Sequence, residues 1–147
     1  MLQFGVPEFG LNYVPRPAAF GIAERDGLIA LVRVRPLAGG DWLDLPGGAL
    51  EARETEAEAL VREFGEETGL KIEVDQEVVR IAQYFRKNDG QPVDNQGGVY
   101  GVSLVADAPE LKIEADHELV WIAPEEAVKH LRHDGHAWAV AAWLRRR

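Results

Sequence analysis

Cysteine is absent from the 147 residues. That removes disulfides, thiolate metal sites and cysteine nucleophiles together, and it fits a reducing cytoplasm, the expected location. Basic charge is scarce. Sixteen lysines and arginines against 25 aspartates and glutamates leave a formal charge of −9. This argues against a nucleic-acid polymer or an anionic membrane as partner. A phosphorylated small molecule would need metal cations to offset the repulsion. No apolar run approaches the ~18 residues that cross a bilayer. The start, MLQFGVPEFG, has no basic segment followed by an apolar one, so no signal peptide is expected. Repeats, low-complexity tracts and linkers are missing too, and a single domain over residues 1–147 is expected. The 46% of hydrophobic residues suffices for a globular core.

Residues 1–15 are apolar but aperiodic and read as an irregular arm. Residues 17–22 read as a strand, and the Asp-Gly pair of 24–27 as a turn. In residues 28–35 alternation places Arg33 and Arg35 on one strand face. Residues 36–40 read as loop, and 42–48 as a short strand entering a sharp turn. Thr55 and Glu58 form a capping box. Ala57, Leu60, Val61, Phe64 and Thr68 then share one helix face, and Gly69 is the stop signal. Residues 72–86 read as strand and 86–98 as a polar loop, with 89–97 expected to be mobile and to close over a ligand. Two more strands follow at 99–106 and 118–122, then two helices, one opening at Pro124 and one over 136–147.

Chemistry concentrates in the first helix. Glu63, Glu66 and Glu67 stand at i, i+3 and i+4 and crowd one face, with Glu56 two turns earlier at a similar azimuth. Arg62 offsets only part of that charge. Hard oxygen ligands with too few cations mark a candidate Mg2+ or Mn2+ site. The preceding Pro46-Gly47-Gly48 permits a tight turn that can aim a backbone carbonyl at the same place.

The full pattern is G-x5-E-x7-R-E-U-x-E-E-x-G-U, where U is a bulky apolar residue. Gly48, Glu54, Arg62, Glu63, Phe64, Glu66, Glu67, Gly69 and Leu70 fill it. It resembles the Nudix box of the Nudix hydrolases, MutT-like enzymes. Phe64 is the one departure, since an aliphatic residue is commoner there. The resemblance implies an α/β (α+β) Nudix fold, a mixed sheet sandwiched between helices with a loop–helix–loop catalytic motif. It implies divalent-cation-dependent hydrolysis of a nucleoside diphosphate linked to another group. The substrate would be a small-molecule nucleotide or nucleoside diphosphate derivative, and the enzyme a monomer or homodimer. Carried over by position, Glu63, Glu66, Glu67 and the Gly47 carbonyl are the metal ligands, and Glu66 and Glu67 are catalytic. Glu54 and Arg62 brace the loop and orient the glutamates.

A base from outside the box is expected among Asp116, His117 and Glu118. Glu118 is preferred by its position before Trp121, and His117 reads as a surface histidine. Tyr84, Phe85, Tyr100 and Trp121 are candidates to stack a nucleobase. Arg33, Arg35, Arg86 and Lys87 are candidates to meet phosphates. The subfamily markers for ADP-ribose, diadenosine polyphosphate, coenzyme A and NADH hydrolases are absent, which leaves a short MutT-like nucleotide hydrolase. An isoprenoid diphosphate isomerase on this fold needs a cysteine. The alternative is a non-catalytic Nudix-like nucleotide-sensing module.

Overall fold

Alternation along strand β2 (Val14–Arg25) decides which helices cover which face of the sheet. Ala19 and Ala23 face one way, together with Leu60 and Phe64; Phe20 and Ile22 face the other, with Ala139 and Val140. The structure is a computed structural model that describes residues 1–36 and 39–147. Besides β2 its strands are β1 (Leu2–Phe4), β3 (Leu28–Val34), β4 (Trp42–Asp44), β5 (Gly47–Ala49), β6 (Leu70–Arg86), β7 (Pro92–Asp107) and β8 (His117–Ile122). The helices are α1 (Glu56–Thr68), α2 (Pro124–His130) and α3 (Asp134–Arg145).

The strands run in the order β1-β6-β7-β2-β3-β4, with β5 added to β2 and β8 to β3. β1 is parallel to β6 and β2 is parallel to β7, while β6 and β7 are antiparallel. The sheet is therefore mixed. Helix α1 covers one face and α2 with α3 the other, which is the sandwich expected from the box. The expected Asp-Gly turn is present, with Asp26 and Gly27 both at positive φ. Of the loop expected over 36–40, Leu37 and Ala38 lie outside the described residues.

Phe64 is fully buried against Gly21, where an added Cβ would come within 2.8 Å of its ring. The aromatic departure in the box is thus seated by a missing side chain across the sheet.

Two expectations are corrected. The arm over 1–15 contains β1, three residues that pair with Ile81–Gln83 and set Phe4 against Trp138 of α3. It is too short to show a period. The polar loop over 86–98 shrinks to 87–91, because β7 begins at Pro92 and is paired on both sides. Its polar residues are interior: Asp94 accepts hydrogen bonds from Gln3 and Gln96 at 2.9 Å each, and Asn95 accepts one from Arg16. Polarity there reflects mutual pairing, not solvation, so the lid over 89–97 does not stand.

Candidate active site

Helix α1 is held at both ends as its sequence predicts. The Glu58 N–H donates to Thr55 Oγ1 at 3.1 Å, and the Thr55 N–H donates to Glu58 Oε1 at 2.9 Å. Gly69 ends it at φ 72°, its N–H bonded to the Gly65 carbonyl. Between these caps Arg62 is a hub. Its Nε and Nη2 grip both oxygens of Glu54 at 2.7 and 2.9 Å, and Nη2 also donates to the Ala49 carbonyl at 3.1 Å. Its Nη1 donates to Glu63 at 3.0 Å and Glu66 at 3.1 Å. One guanidinium therefore ties the loop after β5 to two of the glutamates, through charge-assisted bonds.

Burial pushes the Glu63 carboxyl up to about 7, against the pull of Arg62. Burial pushes Glu67 up to about 8, against hydrogen bonds from His117 and the Gly47 N–H. Gly47 meets Glu67 through that N–H at 2.9 Å. Its φ of 142°, and the Ala19 carbonyl 2.1 Å from where a Cβ would lie, make glycine a requirement. Glu56 does not join the cluster. Its carboxylate takes Arg80 at 2.7 Å, the Tyr100 hydroxyl at 2.7 Å and the Gly98 N–H at 3.1 Å, and Tyr100 is thereby engaged.

The segment before β8 supplies what sequence reading missed. The N–H groups of Ile113 and Glu114 both donate to the Glu66 carbonyl and fasten this segment to the end of α1. Glu114 then offers a carboxylate oxygen to two groups, one with Glu63 and Glu66 and one with Glu67 and His117, each with its atoms within 4.8 Å of one another. Its sequence signal was an acid in the same loop as Asp116. His117 is not a surface histidine: Nε2 lies 3.2 Å from Glu67, and Nδ1 lies 2.9 Å from Asp116. Burial lowers His117, but Glu67, Asp116 and Glu114 outweigh it and raise it to about 9. Glu118, the preferred base, is 54% exposed and lies 3.6 Å from Arg35. Strand alternation sends it and His117 to opposite faces.

Glu63, Glu67, Gly48, Glu114 and His117 line one part of a cavity of about 430 Å3. Arg16, Phe85, Asn95 and Arg132 line another, with Lys87, Asn88 and Asp89 beside them. Of the four aromatic candidates Phe85 alone reaches this cavity. Arg33 and Arg35 approach Asp41, Arg86 pairs with Glu8 at 3.0 Å, and Tyr84 packs edge-on against Tyr13. Of the four cationic candidates Lys87 alone lines the cavity, where Arg16 and Arg132 join it. Arg132 is bound through two nitrogens to buried Asp44.

The family model described as NUDIX domain matches residues 14–144. A Mycobacterium tuberculosis protein named "Putative 8-oxo-dGTP diphosphatase 3" is 36% identical over 97% of this chain and 67% of its own length. The CTP pyrophosphohydrolase of Escherichia coli is 32% identical over 74% of this chain and 76% of its own. A NUDIX hydrolase structure from Nitrosomonas europaea superposes with a TM-score of 0.73 at 19% identity, covering 88% of each chain. The chain belongs to the Nudix family and is a Nudix hydrolase, an enzyme of the nucleotide pyrophosphohydrolase class. Enzymes of this family use divalent metals, and no helix among the described residues is long and apolar enough to cross a membrane.

Proposed function

We propose that the chain works as a single-domain pyrophosphohydrolase dependent on Mg2+ or Mn2+, cleaving a nucleoside triphosphate or another nucleoside diphosphate derivative. One observation carries the reading. Glu63, Glu67 and Glu114 line one part of a cavity that is lined elsewhere by arginines and an aromatic ring, and Glu66 groups with Glu63 and Glu114 beside it. The two relatives named for nucleoside triphosphates support the substrate class.

The donor set fits a divalent cation. It consists of carboxylates crowded beyond what Arg62 compensates, and burial has raised two of them, which added positive charge would relieve. Glu63, Glu66, Glu67 and Glu114, with the Gly47 carbonyl, would hold it. Bound there, it would supply neutralisation of phosphate charge and activation of water.

The protein's own groups do the rest. Arg62 and Glu54 fix Glu63 and Glu66 so that no reorganisation is needed during reaction. His117, with Nε2 3.2 Å from Glu67, is the group placed to take up or return a proton. Water adds to phosphorus, one P–O bond of the anhydride breaks, and the leaving phosphate carries the electron pair. The full carboxylate set weighs against the sensing module.

The test is a panel of nucleoside triphosphates and diphosphate derivatives, with Mg2+ or Mn2+ and with excess EDTA, read by chromatography of the products. Hydrolysis at an anhydride, dependent on metal, is expected, with p-nitrophenyl phosphate left intact. Full activity in EDTA or equal turnover of the monoester would overturn the reading.

A further inference from the structure

Arg16 is a cavity cation that the chemistry above leaves unused. It stands in β2 between Pro15 and Pro17. Proline fixes its own φ and biases the residue before it to extended backbone, so this stretch is set as strand by local sterics. Parallel pairing with β7 places Arg16 opposite Asn95. Asn95 is 5% exposed, and its Oδ1 accepts the Arg16 Nε–H at 2.7 Å. The guanidinium carbon lies 6.0 Å from the centre of the Phe85 ring. Backbone, amide and ring thus aim the fork from the cavity wall.

No carboxylate pairs with it directly. Arg62 and Arg132 are tied to carboxylates, whereas Arg16 has no carboxylate oxygen within 4.0 Å among the described residues. Its two terminal amino groups have no acceptor there either. Burial lowers its pKa, with Glu63 and Asp89 acting the other way. A half-buried guanidinium without a directly paired carboxylate is costly to a fold. It is also a fork whose geometry matches two oxygens of a phosphate.

We propose that the terminal amino groups of Arg16 receive anionic oxygens of the substrate's phosphate chain, and that Asn95 is the positioning residue that aims them. The nucleotide reading supplies only the carrier of that anion. A pyrophosphate chain has one phosphate for the carboxylate cluster and one for Arg16, whereas a phosphomonoester must choose between them.

The experiment is calorimetric titration with inorganic pyrophosphate, and separately with cytidine and guanosine, all in Mg2+, on wild type, Arg16→Gln, Arg16→Lys, Asn95→Ala and Asn95→Asp. Arg16→Gln is expected to weaken pyrophosphate about 10–100-fold, the range of a hydrogen bond to a charged group, and to leave the nucleosides unchanged. Its melting temperature is expected to hold or rise, since an unpaired charge leaves the interior. Arg16→Lys keeps charge without the fork and should fall between. Asn95→Ala should weaken pyrophosphate severalfold. Asn95→Asp keeps the acceptor but compensates the charge, so it should melt no lower and yet bind pyrophosphate as poorly as Arg16→Gln. Unchanged pyrophosphate affinity in Arg16→Gln overturns the proposal. So does weakening confined to the nucleosides, which would mean that Arg16 reads the base. A lower melting temperature in both Arg16 variants would make it a structural arginine and also overturns it. If the wild type hydrolyses nothing in the nucleotide panel while Arg16→Gln still loses pyrophosphate, the functional reading fails and this one stands.

Discussion

His117 Nε2 stands 3.2 Å from one oxygen of Glu67, while the other oxygen of Glu67 takes the Gly47 N–H at 2.9 Å. A strand, a helix and a glycine turn thereby meet on a single buried carboxylate. Glu67→Gln keeps an acceptor for Gly47 and removes the charge that burial opposes. We expect kcat to fall about 10³-fold or more, beyond the middle of the range for a proton-transferring group alone, because charge neutralisation is lost with it. The metal-free protein should melt no lower than wild type, and the rise in melting temperature on adding Mg2+ should shrink. Near-normal kcat at saturating Mg2+ would remove Glu67 from the site.

Glu54 predicts the opposite pattern of stability. It receives two hydrogen bonds from Arg62, whose remaining donors go to Ala49, Glu63 and Glu66. Glu54→Gln forfeits one of the two bonds and the charge that anchors the hub. Urea unfolding should show a loss of about 1–3 kcal/mol, the worth of a hydrogen bond to a charged group, together with reduced kcat. Lost activity at full stability would mean that Glu54 acts on the reaction directly and not by bracing.

The contrast between Arg62 and Arg16 shows what a sequence can disclose. Arg62 was legible because its partners lie within a few residues along one helix and its loop, and the cap at Thr55 and the stop at Gly69 are equally local. Arg16 was not, since Asn95 is 79 residues away and the pairing exists only once β2 and β7 run parallel. The prolines on either side of Arg16 were a signal that residue type alone does not interpret. That Glu118 stands on the face away from the carboxylate cluster was illegible for a related reason. Distance from Trp121 selects a position along β8 but not a face, and one residue's shift exchanges Glu118 for His117. The polar run at 92–98 was misread because composition measures polarity and not whether polar groups find each other.

Packing around Phe64 is open to a double-mutant test. A methyl group on Gly21 would lie 2.8 Å from the Phe64 ring and 3.0 Å from Val102. Gly21→Ala alone should therefore cost about 1–3 kcal/mol, as overpacked cores do. Phe64→Leu alone should also destabilise, by leaving a void over the glycine. Combined, the added methyl occupies part of that void, and the double variant should be more stable than the sum of the two losses, read by urea unfolding at one pH. Strict additivity would show that Gly21 and Phe64 are not coupled.

His136 gives the stability of the fold a pH signature separable from that of the active site. It is fully buried, and its Nδ1 accepts the Leu45 N–H at 3.2 Å, so the folded state needs that nitrogen unprotonated. Burial lowers His136 to about 4, with Asp44 raising it and Arg132 lowering it; burial lowers His133 to about 2. In the unfolded chain both titrate near 6.5. Above that pH neither state holds the proton and the histidines contribute no slope. Between about 6.5 and 4 the unfolded chain takes up protons that the folded chain refuses, so each histidine lowers stability as pH falls, by about 1.4 kcal/mol per unit at most. Glu63 and Glu67 run the other way. Raised to about 7 and about 8, they bind protons in the folded state first and add stability as pH drops toward the ordinary carboxylate range. The net slope of wild type mixes the two, and the difference between proteins isolates one. His136→Gln, unfolded in urea with EDTA at pH 7, 6 and 5, should lose stability at pH 7 because the Leu45 contact is weakened. That deficit should narrow toward pH 5, since the variant no longer carries the histidine's acid penalty. A deficit that stays constant over the three pH values would mean that His136 takes up a proton as readily folded as unfolded, which its burial and its bond to Leu45 do not allow.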